Sequence, residues 1–520
     1  MDDRPILLGV DIGSSSIKGL AVDADGQVLA SLRRAHAIDH PQPGWAEMDA
    51  EAVWWQGTWA VLRDLAQGLG PRAAQVAGIG LCSIGASVVP VDRHGQCLRP
   101  GILYGIDSRA SGLIAAIEAR YGRESLLGRA GRLPSTQSVG LKLAWLRQAE
   151  PEVWARSARV LSPVALVCER LCGVAAIDPH TALAWDPLVD ARRLALHARD
   201  HPTGLAWDEG AVLDLLGERR PMLPDMAWPG ERLGGLAPAR AAELGLPAGI
   251  AVACGTADVL AEALGAGVSQ EGDTMVMYGS TLFVLQRVAR FAAHAPLWPS
   301  VALAPDQPTL MTGTSNAGSA LAWFESAFGV TDGLGSLLDQ ADAVGPGAAG
   351  LLCLPYLNGE RAPIFDPLAR GLYLGLSGRH TRAHLLRALL EGIAHGFAHL
   401  LELAEAAGAR PQRLVATGGG LHLPLWLQLM SDVTGRPQEI ARLPEGAALG
   451  AAGLAAMAAG VFAKDLAGLP TSWTRSVRRI EPRADFRERH AAMGLLYREA
   501  YQANAGLMHQ LSGWADAAIA

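Results

Sequence analysis

The feature that most constrains the fold is a strand, small-residue turn, strand unit that occurs twice. Residues 6–11 are an apolar run that reads as a buried strand, 13–16 a turn of Gly and Ser, and 17–22 a return strand. The run 274–278, the turn 279–281 and the run 282–286 repeat the pattern, with Gly279 about 266 residues after Gly13 in a chain of 520. Other strand-like runs (28–32, 76–82, 252–254, 413–416) alternate with helix-length stretches (50–67, 258–265, 425–434), which implies a mixed α/β sheet covered by helices. A chain this long buries more than one core. The expectation is two domains on one plan, each offering its turn to a cleft between them. With the boundary near 247–250, the expected domains are 1–248 and 249–480, followed by a helical tail over 481–520.

Composition excludes several classes. A net charge of −7 gives no footprint for nucleic acid or an anionic membrane. No apolar run reaches the roughly 18 residues needed to cross a bilayer. Residues 1–5 are acidic and lead straight into a strand, which argues against a signal peptide. The six cysteines form no Cys-x-x-Cys pair and read as free thiols in a reducing cytoplasm.

Three constellations carry chemistry. In Asp11-Ile12-Gly13-Ser14-Ser15-Ser16-Ile17-Lys18, an aspartate ends a buried strand before a small-residue turn. Such a turn lets backbone N–H groups approach phosphate, the serine hydroxyls add donors, and the carboxylate suits hydrated Mg²⁺. No P-loop is present, an ordinary hairpin explains the segment equally, and Lys18 either reaches a phosphate or is solvated. In Cys254-Gly255-Thr256-Ala257-Asp258, the acid opens a helix at the end of a buried strand. It either only favours the helix dipole or accepts the proton of an attacking hydroxyl. In Thr417-Gly418-Gly419-Gly420, three glycines between strand and helix let backbone approach a nucleotide, or form a plain loop.

Further segments fall in order around these: Pro43-Gly44-Trp45-Ala46-Glu47-Met48-Asp49 with Trp54-Trp55, Lys142-Leu143-Ala144-Trp145, Asn358-Gly359-Glu360-Arg361-Ala362-Pro363, Gly371-Leu372-Tyr373-Leu374-Gly375-Leu376 with His384-Leu385 and Ala388-Leu389-Leu390-Glu391, and Gly446 through Gly450. Together they resemble the FGGY carbohydrate kinases from about residue 7 to 459. The resemblance implies an α/β, actin-like ATPase fold of two RNase H-like domains, with ATP, Mg²⁺ and a small sugar or polyol bound in the cleft. It implies Asp11 as the metal-linked acid and Asp258 as general base, also facing metal and substrate. It implies phosphate contacts at Gly13, Ser14, Ser15, Ser16 and Lys18 and at a second turn, Gly279 and Ser280. Gly318, Gly419 and Gly420 are implied at the nucleotide. The resemblance also leaves room for a homodimer.

The chain departs from the family where substrate choice is made. Residues 83–87 read Ser83-Ile84-Gly85-Ala86-Ser87, where xylulokinases carry Gln-Met-His-Gly and glycerol kinases Gln-Arg-Glu-Thr from position 84. Ser83, Ser87, Asp107 and Arg109 are the candidates left to meet the substrate, with Asp107 either binding it or bracing its loop. Glu391, His395, His399 and Glu402 share a helix face but read as structural rather than as a metal site. The Gly345 to Gly350 run precedes a strand, the wrong order for a dinucleotide site. A catalytically silent sugar-binding regulator is the alternative function. An actin- or chaperone-like ATPase switch is a third, opposed by Asp258 and by the sugar-kinase segments.

Overall fold

The computed structural model describes residues 4–195, 205–291, 297–330, 333–443 and 445–519. Two compact units emerge. The first comprises 1–270, 287–310 and 445–475; the second comprises 271–286, 311–444 and 476–520.

The first unit is built on β1 (Ile6–Ile12), β2 (Ser16–Asp23), β3 (Val28–Ala35), β4 (Val76–Ser83), β5 (Arg232–Gly235) and β6 (Ala251–Ala253), in the order β5-β6-β4-β1-β2-β3. A short β7 (Thr256–Ala257) also pairs with β4. β1 to β3 form an antiparallel meander, β1 and β6 run parallel to β4, and β5 is antiparallel to β6. Every residue of β1 is buried, as its continuous apolar run requires for a central strand.

Burial on one side of β1 comes from the helix Gly446–Ala458, whose Gly and Ala content permits backbone-to-backbone contact. A Cβ added at Gly80 would stand 1.9 Å from the Ala451 carbonyl oxygen, and one at Gly450 would stand 1.8 Å from that of Ala261. The helix therefore locks onto β4 and onto the helix Asp258–Gly265. This overturns the expected boundary at 248. β6, β7 and the helix Asp258–Gly265 belong to the first unit, and so does the distant segment 445–475, because the packing that buries β1 needs them.

The second unit repeats the plan with β8 (Asp273–Tyr278), β9 (Leu282–Arg287), β10 (Arg413–Thr417), β11 (Gln438–Ile440) and β12 (Arg478–Ile480). β8 pairs antiparallel with β9 and parallel with β10, β10 is parallel to β11, and β12 is antiparallel to β11. The expected tail is not a separate body. Its helix, Arg487–Ile519, packs Tyr497, Ala500 and Met508 against Leu352, Leu354 and Tyr356 of this unit. Among the described residues no helix is long and apolar enough to cross a membrane.

Candidate active site

The β1–β2 register sets Asp11 directly across from Lys18, whose Nζ lies 3.5 Å from Oδ2 of the carboxylate. On the other side of β1, the parallel pairing with β4 brings Cys82 beside Asp11, with Sγ 3.8 Å from Oδ1. β7 continues next to β4, with Thr256 beside Cys82 and Ala257 beside Ser83. The helix Asp258–Gly265 starts there, so its first residue, Asp258, arrives at the same end of the sheet as Asp11. Oδ1 of Asp258 accepts a hydrogen bond from the Val259 N–H at 2.8 Å.

The electrostatics show how close these groups are. Burial holds the Asp11 carboxyl above its ordinary range, opposed by Lys18. Asp258 is pushed up to about 7, first by burial and then by the charge of Asp11, against the pull of the Val259 N–H and Lys18. Burial, then Asp11 and Asp258, drive the Cys82 thiol well up, so it stays protonated and can only donate weakly. A carboxyl raised by burial and by the charge of a neighbouring carboxylate, as Asp258 is by Asp11, is costly to ionise unless a cation attends it. Lys18 supplies one positive charge. The all-oxygen donor set fits Mg²⁺, which takes one or two carboxylates and keeps most of its waters.

The turn after β1 divides its expected duties. Its hydrogen bond from the Gly13 N–H to the Ser16 carbonyl closes the loop, and the Ser16 hydroxyl accepts from Nε of Arg33 at 3.2 Å. The Gly13 N–H and the Ser16 hydroxyl thus help hold the hairpin's own turn. Ser14 and Ser15 occupy the tip, and Ser15 is exposed.

The four substrate candidates all have partners within the protein. The Ser83 hydroxyl donates to the Ile84 carbonyl and that of Ser87 to the Gly85 carbonyl, and both residues are buried. Asp107 and Arg109 form an ion pair whose side chains are 0% exposed. Asp107 also accepts from the Ala46 N–H at 2.7 Å, while Arg109 reaches Glu47 at 2.7 Å and lies 4.0 Å over the Trp45 ring. Every charged atom of the pair has a partner within the protein. The loop is also held by Nζ of Lys142, which donates to the Leu103 and Tyr104 carbonyls. What the loop does present is Tyr104. Its hydroxyl meets the Ser14 side chain, and burial followed by the Asp258 charge raises it.

In the second unit a cavity of about 970 Å³ is lined by Gly279, Ser280, Gly318, Gly419 and Gly420, among others. The Gly318 N–H donates to the Gly279 carbonyl at 3.0 Å, and the Ala317 and Ser319 N–H groups donate to that of Ser280. Gly318 therefore fixes the second turn and offers the cavity a bare surface instead of a free donor. A Cβ at Gly318 would lie 2.6 Å from the Gly279 oxygen; one at Gly420 would lie 2.7 Å from the Trp426 ring. Gly419 faces open space. The volume and the Cβ-free cradle fit a nucleotide, whose bulk few side chains would tolerate at such range. Elsewhere in this unit Glu391 is taken up by Nε of Arg387 at 2.7 Å and by the Gly347 N–H, a structural role as expected.

Cys82 and Tyr104 were not foreseen as neighbours of the two acids. Cys82 immediately precedes the expected substrate loop, and Tyr104 opens the segment ending in Asp107 and Arg109, so position was the only signal. The comparisons with known proteins agree with the geometry. Residues 6–265 match the N-terminal domain of the FGGY family of carbohydrate kinases, and residues 274–459 match its C-terminal domain. A xylulose kinase of Staphylococcus epidermidis is 30% identical over 466 residues, 88% of this chain and 89% of that protein. A glycerol kinase of Thermus brockianus is 30% identical over 501 residues, covering 91% and 93%. The crystal structure of xylulose kinase from Rhodospirillum rubrum superposes with a TM-score of 0.86 at 30% identity, over 97% of this chain and all of that one. With acids, turns and glycines falling in order through both matched domains, the chain belongs to the FGGY family of carbohydrate kinases, ATP-dependent phosphotransferases with an alcohol group as acceptor, and has their actin-like ATPase fold.

Proposed function

We propose that the chain transfers the γ-phosphoryl group of ATP to a hydroxyl of a small sugar or polyol, with Asp258 as general base. The observation that carries this is the Asp258 carboxyl, pushed up to about 7 beside Asp11 at a strand-end helix start. A base titrating near the working pH combines adequate basicity with a substantial ionised fraction. Asp258 accepts the acceptor's proton as its oxygen bonds to phosphorus and the bond to the departing ADP breaks. The neighbouring Asp11 opposes the ionised form, which strengthens Asp258 as a base. Lys18, paired with Asp11, offsets part of the charge.

When bound, Mg²⁺ would neutralise charge developing on the transferred phosphoryl; Asp11, with Asp258 close by, would hold it. The glycine cavity of the second unit is the proposed nucleotide site, with Gly279 and Ser280 at its phosphate turn. On the acceptor side, Ser14 and Tyr104 replace Ser83, Ser87, Asp107 and Arg109 as the available polar side chains. Relatives named for xylulose and for glycerol make a ketose or a polyol the natural first probes. The silent-regulator reading is not favoured, because both acids are present at one site.

The test is coupled ADP release with a panel of ketoses, aldoses and polyols, run on the wild type and on Asp258→Asn. One or more acceptors should stimulate the wild type above basal hydrolysis. Asp258→Asn should lose about 10²–10⁴-fold in kcat while ATP affinity stays within about twofold. Near-wild-type turnover by the variant would remove Asp258 from this role.

A further inference from the structure

Behind the helix start that carries Asp258 lies a buried polar chain that no step above uses. Thr256, two residues before Asp258, is 1% exposed and donates its hydroxyl to Oδ2 of Asp178 at 2.8 Å. The same oxygen accepts the Thr181 N–H at 3.1 Å, so Asp178 caps the helix Pro179–Ala182. His180 of that helix is also buried, with Nδ1 2.9 Å from the Ser300 hydroxyl and 3.1 Å from the Val301 carbonyl. All of these residues belong to the first unit.

Burying a carboxylate beside an imidazole is costly, and a well-packed apolar residue would often serve stability better. The arrangement has a geometric consequence instead. The Asp258 side chain accepts a hydrogen bond from the N–H of the next residue of its own helix. Its direction therefore depends on where the Thr256–Ala257 backbone is held. One edge of that backbone is fixed by pairing with Cys82 and Ser83, and the Thr256 side chain is fixed by Asp178.

We infer that Asp178 and Thr256 are positioning residues, a buried brace that aims Asp258 at the acceptor hydroxyl. The inference rests on the reading of Asp258 as the base.

The test compares Thr256→Val, which keeps the side-chain shape, with Thr256→Ser, which keeps the hydroxyl. ADP release is measured with xylulose and with glycerol as acceptors, and hydrogen exchange is followed on the peptide covering residues 255–265. Thr256→Val should lower kcat by about 10- to 100-fold with KM for ATP within about twofold, and exchange in the peptide should quicken about tenfold. Thr256→Ser should recover most of both. Wild-type kcat in Thr256→Val, equal impairment of the two variants, or unchanged exchange would each overturn the brace. If no acceptor stimulates the wild-type chain, the kinase reading is what fails, and the exchange measurement still decides whether Thr256 holds the turn.

Discussion

At the end of β1 the hairpin register sets a carboxylate, Asp11, across from a cation, Lys18. At the end of β8 the equivalent register sets Met277 across from Phe283 and Tyr278 across from Leu282. The strands around them pair in the same sense in both units. One plan thus ends in a buried charge at the strand end of the first unit and in a glycine cradle at that of the second. The difference shows that the sheet fixes only where a turn is presented. Two or three residues at the strand end decide whether the turn manages charge or accommodates bulk.

The comparison can be broken most sharply by removing the charge. Asp11→Asn should reduce kcat by about 10²–10³-fold, while metal-free ADP binding, measured calorimetrically, changes little. A large loss of metal-free ADP affinity would mean that the two sites are not chemically distinct. The converse substitution fills the cradle. Gly420→Val should raise KM for ATP by about 10- to 100-fold through its clash with Trp426, while the pH dependence of kcat stays in place.

The pH profile sharpens the contrast further. Because Asp258 must be ionised, kcat/KM for the acceptor should fall tenfold per pH unit below about 7. Lys18 favours the ionised form, so Lys18→Met should move this limb to higher pH; a shift to lower pH would contradict the assigned environment.

The smallest effect is on stability, and its sign is diagnostic. The folded-state value of Asp258 lies above its ordinary one, so ionisation in the folded state is penalised, and stability is lost as pH rises from about 4 through about 7. Asp258→Asn escapes that penalty. Its melting temperature should exceed the wild type's by about 2–4 °C at pH 8 and match it near pH 4. No comparable gain is expected from Gly420→Val, where no charge is buried.

Much of this was legible in the chain. The hairpins were readable because the partners flanking each turn, Asp11 with Lys18 and Tyr278 with Leu282, are close in sequence and the turns are marked by Gly and Ser. Asp11, Asp258 and the glycines could be singled out because few residue types suit a strand end facing phosphate. The helix Gly446–Ala458 could be recognised as a segment but was assigned to the wrong unit. Its small residues announce close packing without saying against what.

Sequence alone determined the local pairings, the α/β alternation and the acids at two strand ends, since these depend on neighbours a few bonds away and on side-chain chemistry. Tertiary structure decided everything set by parallel pairing and long closure: Cys82 beside Asp11, Asp178 behind Thr256, and the return of 445–475 to the first unit. It also decided that Asp107 and Arg109 satisfy each other in a buried pair. A side chain's availability depends on which partners the fold delivers to it, and those partners come from distant parts of the chain.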